Sequence, residues 1–340
     1  MNLPMLGGLD APLMLENIPA LQEEVRALAR EQDAIILAHN YQLPEIQDIA
    51  DYVGDSLGLS QQAAAAAGGT IVFCGVHFMA ETASILCPEK RVLIPDPDAG
   101  CSLADSITVE QLRSWKAQHP GAITVMYVNT TAEVKAETDY CCTSANAVKV
   151  VEHILREHGE DAEILFGPDM FLGAYVEKTL GRRLHVWDGE CHVHAGIRPR
   201  DIAAVRAAHP GADFLIHPEC GCSTSVMEYV AAGDVDREGV LMLSTGGMLR
   251  YAEQRASESN GRAAVAAIVA TETGMLHPLR QAAPHVQFVA ANEAAHCRFM
   301  KMITLPKLRD ALRDGVHEVK VEKTVADRAR VAIERMVAIS

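Results

Sequence analysis

The chain of 340 residues has no apolar run of the roughly 18 residues that a membrane-spanning helix needs. It is also short of cations: 30 Lys and Arg stand against 45 Asp and Glu, a net charge of −15. That balance argues against a nucleic-acid partner, which requires clustered basic residues to neutralise phosphates. An anionic small molecule would have to be held by local donors, such as helix N-termini, and not by the overall field. The opening stretch, MNLPMLGGLDAPLMLENIPA, lacks a basic n-region and a small-residue cleavage site. No secretory signal is expected there, and a cytoplasmic location is. Low-complexity segments and long linkers are missing, and so is any Cys-x-x-Cys pair, although the chain holds nine cysteines. An odd count without a secretory signal speaks against a disulfide framework and for thiols that bind metal or react.

What is present is a repeat. QHPGA at Gln118 recurs as AHPGA with His209 in place of His119, an offset of 90, and Cys101 to Cys191 is the same 90. Three cysteines share one further spacing: Cys101, Cys191 and Cys297 stand seven residues before Thr108, Arg198 and Thr304, each a helix start. The period divides the chain into units spanning 1–107, 108–197 and 198–303, with a tail at 304–340 that returns to the first. Each unit opens with a helical pattern (PALQEEVRALAREQ, VEQLRSWKAQ, RPRDIAAVRAA) followed by a short apolar strand (AIILAHN, ITVMYVN, DFLIHP). A second strand (GTIVFCG, AEILFGP, GVLMLST) and a third (RVLIPD, RLHVWD, VQFVAA) come after further helices, and a cysteine follows each third strand. Short Val/Ile/Leu runs alternating with helices predict an α/β protein: three pseudo-threefold-related α/β/α sandwiches with parallel sheets around a shared centre.

Functional groups in such units collect at the carboxyl ends of strands. Those ends carry His39–Gln42, Tyr127–Thr131, His217–Cys220, Ser244–Gly247 and the three cysteines. Three thiolates from three loops suit zinc or an iron–sulfur cluster. Structural zinc usually takes two close Cys-x-x-Cys pairs, which are lacking. A three-thiolate [4Fe–4S] cluster leaves one iron without a protein ligand, free to act as a Lewis acid. Against this stands the plainer reading that each cysteine packs a loop, less apt for three at matching positions.

The stretches AHNYQ, GDSLGLS, CGVHFMAETA, LIPDPDAGCSLAD, YVNTTAEVKA, CTSANA, HPECGCSTS, STGGM and NEAAHC together resemble the quinolinate synthase family over nearly the whole chain. The resemblance implies three domains whose cysteines, here Cys101, Cys191 and Cys297, hold one [4Fe–4S] cluster. It implies condensation of iminoaspartate with dihydroxyacetone phosphate to quinolinate, phosphate and water on the route to NAD. L-aspartate oxidase or aspartate dehydrogenase would supply the imine. Some members carry a Cys-x-x-Cys-x-x-Cys run near the last ligand; this chain does not, which leaves Cys297 alone there.

The resemblance also implies substrate contacts at His39, Ser56, Asn129, Ser144, His194, His217 and Thr245, and tyrosines facing substrate at Tyr41 and Tyr127. Ser56, Ser144 and the Ser244–Thr245 pair lie at expected helix starts, where a hydroxyl can serve as an ordinary N-cap as well as an anion donor. Glu219, beside His217, is expected to have its pKa raised by burial near a substrate carboxylate and to act as general base. His192 is expected at the periphery, and Cys74 and Cys87 in the core. Cys141–Cys142, expected in a loop, and Cys220–Cys222 are each candidate redox pairs. An aconitase-like hydro-lyase and a metal- or thiol-based anion sensor are the competing readings.

Overall fold

The computed structural model describes residues 17–232, 239–257 and 266–339; the leader reading of the first residues lies outside that range. The first unit runs α1 (Ile18–Glu31), β1 (Ala34–His39), α2 (Pro44–Gln47), β2 (Tyr52–Gly54), α3 (Ser56–Ala65), β3 (Thr70–Cys74), α4 (His77–Leu86) and β4 (Arg91–Leu93). The second repeats this order: α5 (Val109–Gln118), β5 (Ile123–Tyr127), α6 (Ala132–Ala136), β6 (Tyr140–Cys142), α7 (Ala147–His158), β7 (Ile164–Gly167), α8 (Met170–Leu180) and β8 (His185–Val186). A short α9 (His192–Ala195) leads into the third: α10 (Pro199–Ala208), β9 (Asp213–Ile216), α11 (Ser223–Ala232), β10 (Val240–Met242), α12 (Thr245–Ser257), β11 (Ala266–Ala270), α13 (Leu276–Ala282) and β12 (Gln287–Ala290). The chain ends in α14 (Leu305–Asp314) and α15 (Lys323–Ala338).

Each unit forms a four-stranded sheet in the same order: β2-β1-β3-β4, β6-β5-β7-β8 and β10-β9-β11-β12. All pairings within them are parallel. Strand interiors are apolar on both faces, as β3 shows with every residue buried, because helices cover both sides. The amphipathic α7 contributes Ala147, Val150, Val151, Ile154 and Leu155, the i, i+3, i+4, i+7, i+8 stripe that a sheet-covering helix needs.

The repeated landmarks have physical causes. Thr108 caps α5 in a capping box with Gln111: the Gln111 N–H donates to Thr108 Oγ1 at 3.3 Å and the Thr108 N–H to Gln111 Oε1 at 2.8 Å. Arg198 and Thr304 take the same position before α10 and α14, each with a proline in the first turn. HPGA ends a helix and turns into the central strand of its sheet. His119 and His209 are the C-caps of α5 and α10, and Gly121 and Gly211 have φ of +90° and +80°, a region costly for a side chain.

Two strand assignments need correction. GVLMLST is β10, the counterpart of β2 and β6, and not of β3 and β7; the true counterpart is β11, which the sequence reading passed over. Ala-rich AAIVA carries little β-propensity, and the three-residue β2 and β6 are too short to show a period. Cys141 and Cys142 therefore lie in the buried strand β6 and not in a loop. In the tail, α14 packs on α1, while α15 lies against α6 and β6 of the second unit and α4 of the first.

Candidate active site

The threefold repeat of a four-stranded unit places residues in corresponding sets. After the central strands β1, β5 and β9 come His39 with Tyr41, Tyr127 with Asn129, and His217 with Glu219. Ser56, Ser144 and Thr245 come after β2, β6 and β10. Asp169 follows β7, Thr271 and Glu272 follow β11, and the three cysteines follow β4, β8 and β12. A cleft is lined by His39, Tyr41, Ser56, Cys101, Tyr127, Asn129, Ser144, Cys191, His194, His217, Glu219, Thr245 and Cys297. Every site residue expected from sequence is therefore in one place.

The helix starts divide the labour between capping and the cleft. Asp55 caps α3 by accepting the Gly58 N–H at 2.9 Å, so Ser56 is not the cap. Ser244 is the cap of α12, accepting the Gly247 N–H at 3.2 Å, and the neighbouring Thr245 lines the cleft instead. Ser144 precedes α7, and its Oγ lies 3.1 Å from His217 Nε2, joining the second unit to the third. Asn129 Oδ1 is buried without a partner, an open acceptor beside these donors.

At the centre runs a connected polar chain. Tyr41 Oη is 2.6 Å from Thr271 Oγ1, which is 2.9 Å from His194 Nε2. On its other side His194 Nδ1 stands 3.2 Å from Glu219 Oε2, and the Tyr127 hydroxyl donates to Glu219 Oε1. The His194 and His217 rings stack at 4.7 Å. Thr271 was not foreseen from sequence, nor was Glu272, because both follow the overlooked β11.

In the free site Glu219 is ionised. Burial pushes its pKa up, but His194 and His217, with hydrogen bonds from His194 and Tyr127, outweigh burial and hold it down at about 2. His194 moves the opposite way: burial disfavours its charge, yet Cys191 and Glu219 raise its pKa well above the usual value. The pair is thus a carboxylate facing an imidazolium. His39 and His217 are driven down to about 3, chiefly by burial, with the charge of His194 adding to it and that of Glu219 opposing it.

These shifts predict acid lability. An unfolded histidine titrates near 6.5, so between about pH 6.5 and 3 the unfolded chain binds protons that folded His39 and His217 refuse. Stability should fall as pH drops through that window, by about 2 kcal/mol per histidine at pH 5. The urea midpoint of the metal-free chain should be clearly lower at pH 5 than at pH 7.5; equal midpoints would contradict these burials.

The cysteines split cleanly. Cys74, Cys87, Cys141 and Cys142 are buried, and Cys220 and Cys222 are buried and joined by a disulfide. Cys101, Cys191 and Cys297 are half-buried and line the cleft. Burial raises the pKa of Cys101, and Cys191 and Cys297 raise it further; Cys297 is pushed to about 11 by burial and by Cys191 among its neighbours. The opposed ionisation of Cys101 and Cys297 is what a cationic centre would relieve. One ion bound by three thiolates would need sulfurs within about 4 Å of one another. Among the described residues the three thiols form no set whose ligand atoms all lie within 4.8 Å, whereas Cys191, His194 and Glu219 do.

Glu272 braces the last of these cysteines. Fully buried, it accepts the Cys297 N–H at 3.0 Å and the Gly274 N–H at 2.7 Å, and pairs with Lys301 at 3.1 Å. Lys301 also donates to the Tyr41 carbonyl, tying the third unit to the first. Gly274 is needed here, since a Cβ would sit 2.8 Å from both Lys301 Nζ and Tyr41 O.

The family model for the quinolinate synthetase A protein matches residues 23–338. Quinolinate synthase from Mycobacterium sp. (strain KMS) is 57% identical over 318 residues, 93% of this chain and 91% of that protein. Quinolinate synthases from Mycobacterium tuberculosis (strain ATCC 25618 / H37Rv) and Mycolicibacterium paratuberculosis are 56% identical over 317 residues, 93% of this chain and 88% of each. With the match spanning all three sheets and every loop that builds the cleft, the chain belongs to the quinolinate synthetase A family.

Proposed function

We propose that this protein condenses iminoaspartate with dihydroxyacetone phosphate to quinolinate, phosphate and water, with a [4Fe–4S] cluster held by Cys101, Cys191 and Cys297. The observation that carries the reading is the half-buried cysteine triad, one from each repeat, lining one cleft with Tyr41, His194, Glu219 and Tyr127, members of a connected polar chain. When bound, such a cluster supplies an electrophilic iron that assists departure of a hydroxyl.

The remaining work falls to the side chains. Ser56, Ser144 and Thr245 lie in the three corresponding loops and present hydroxyls to an anion, with His39, Asn129 and His217 completing the surround. Glu219, ionised in the free site, is the general base. Substrate carboxylates would compete with it for His194 and His217, leaving burial to raise its basicity during turnover. Tyr127 donates a hydrogen bond to Glu219, and Tyr41 shares one with Thr271, which also meets His194, so proton-bearing groups flank both Glu219 and His194. The imine would come from L-aspartate oxidase or aspartate dehydrogenase. Among the described residues no helix is long and apolar enough to cross a membrane, and we place the activity in the cytoplasm.

The close set Cys191, His194 and Glu219 is also a possible site for one zinc ion. Anaerobically purified protein supplied with both substrates should form quinolinate, identified by mass. Protein that carries stoichiometric zinc and forms no quinolinate would overturn the proposal.

A further inference from the structure

The loop that presents Ser144 is fastened from behind by the end of the chain. Asn146 is buried two residues beyond Ser144, and its side-chain amide is fully used. Its Oδ1 accepts the Thr143 N–H at 2.8 Å and the Thr143 hydroxyl at 3.1 Å, closing the turn in which Ser144 lies. Its Nδ2 donates to the Met336 carbonyl at 2.9 Å and the Ile339 carbonyl at 2.6 Å. An asparagine amide has two donor hydrogens and two acceptor lone pairs, and here all are engaged.

The two carbonyls are at the C-terminal end of α15, where a helix has no backbone partners of its own. On the cleft side of the same turn, Ser144 Oγ meets His217 Nε2 at 3.1 Å. The last helix is firmly seated beneath it: Ala329, Ala332, Ile333 and Met336 are buried. Arg335 donates to the Asp139 carbonyl at 2.7 Å and lies over the Tyr140 ring at 4.7 Å. One buried amide is thus the joint between the C-terminal helix and the hydroxyl that faces the cleft.

We propose that Asn146 is a positioning residue that fixes Ser144 for anion binding, which makes the end of α15 part of the substrate-holding apparatus. The inference rests on the reading of Ser144 as an anion contact given above. Asn146 touches no substrate in this scheme. It acts by setting the Ser144 hydroxyl toward His217 within a turn that would otherwise be free to rearrange.

The test is a double-mutant cycle on the anaerobically purified, metal-loaded protein, with inorganic phosphate as the probe. Asn146→Ala removes all four hydrogen bonds, and Asn146→Asp keeps the turn to Thr143 while withdrawing donors from Met336 and Ile339. Each should weaken phosphate binding by roughly tenfold and raise the KM for dihydroxyacetone phosphate similarly, with kcat and iron per chain within about twofold of wild type. Combined with Ser144→Ala, neither should weaken binding beyond Ser144→Ala alone, because both act through one hydroxyl.

Additive losses, unchanged phosphate binding in a folded Asn146→Asp protein, or a wild type that binds no phosphate would overturn the proposal. Quinolinate formation is scored separately on the same samples. A wild type that shows the non-additive phosphate effect but makes no quinolinate would sink the proposed reaction and leave this inference standing. Additive effects with normal turnover would do the reverse.

Discussion

Cys101→Ala, Cys191→Ala and Cys297→Ala should each abolish or destabilise the iron–sulfur cluster and eliminate quinolinate formation. Each thiol is one repeat's only contribution to the centre, following β4, β8 or β12 and standing seven residues before a helix cap. A vacancy at one cannot be filled from its neighbours: the other cysteines are buried in strands, at a helix end or in a disulfide. Alanine at Cys141, Cys142, Cys220 or Cys222 should leave iron and sulfide near wild type, with at most altered activity. Cys220 and Cys222 are the informative controls, because they follow Glu219 directly and lie fully buried. Should Cys222→Ala lose the cluster while Cys297→Ala keeps it, the repeat-based assignment would fail at its third position.

Glu219→Gln should retain the cluster and the fold but lower turnover by roughly 10²–10⁴-fold, the usual contribution of a general base. The carboxylate is met by Tyr127 on one oxygen and His194 on the other, with His217 stacked on His194. Glutamine keeps the shape and an acceptor for Tyr127, and removes the negative charge that raises the His194 pKa. The pH profile of the residual activity should therefore shift as well as its height. Unchanged turnover would take Glu219 out of the chemistry, though not out of the site.

The repeat made much of this architecture legible. An offset of 90 residues, a capped helix start seven residues after each cysteine, and HPGA turns at positive-φ glycines are local features with local causes. They sufficed for the α/β class with its three parallel sheets and for gathering the strand-end residues and the three cysteines, while Ser56, Ser144 and His194 came from the family resemblance. What escaped was non-local or weakly patterned. The alanine-rich β11 has no strand signature, so Thr271 and Glu272 at its end went unnoticed despite touching Tyr41, His194 and the Cys297 backbone. The ionised state of Glu219 in the free site was not legible either. Burial can be guessed from a strand end, but His194, from another unit, supplies the opposing charge. Asn146 is likewise bound to Met336 and Ile339, 190 or more residues away.

The central claim is that three cysteines, one per repeat, hold a single iron–sulfur centre in the cleft. Its most direct test is iron and acid-labile sulfide analysis of the anaerobically purified wild-type protein. The account predicts about four irons and four sulfides per chain, the composition of one [4Fe–4S] cluster, lost in air together with activity and both restored by anaerobic reconstitution. Colourless, metal-free protein that condensed the two substrates at full rate would contradict it.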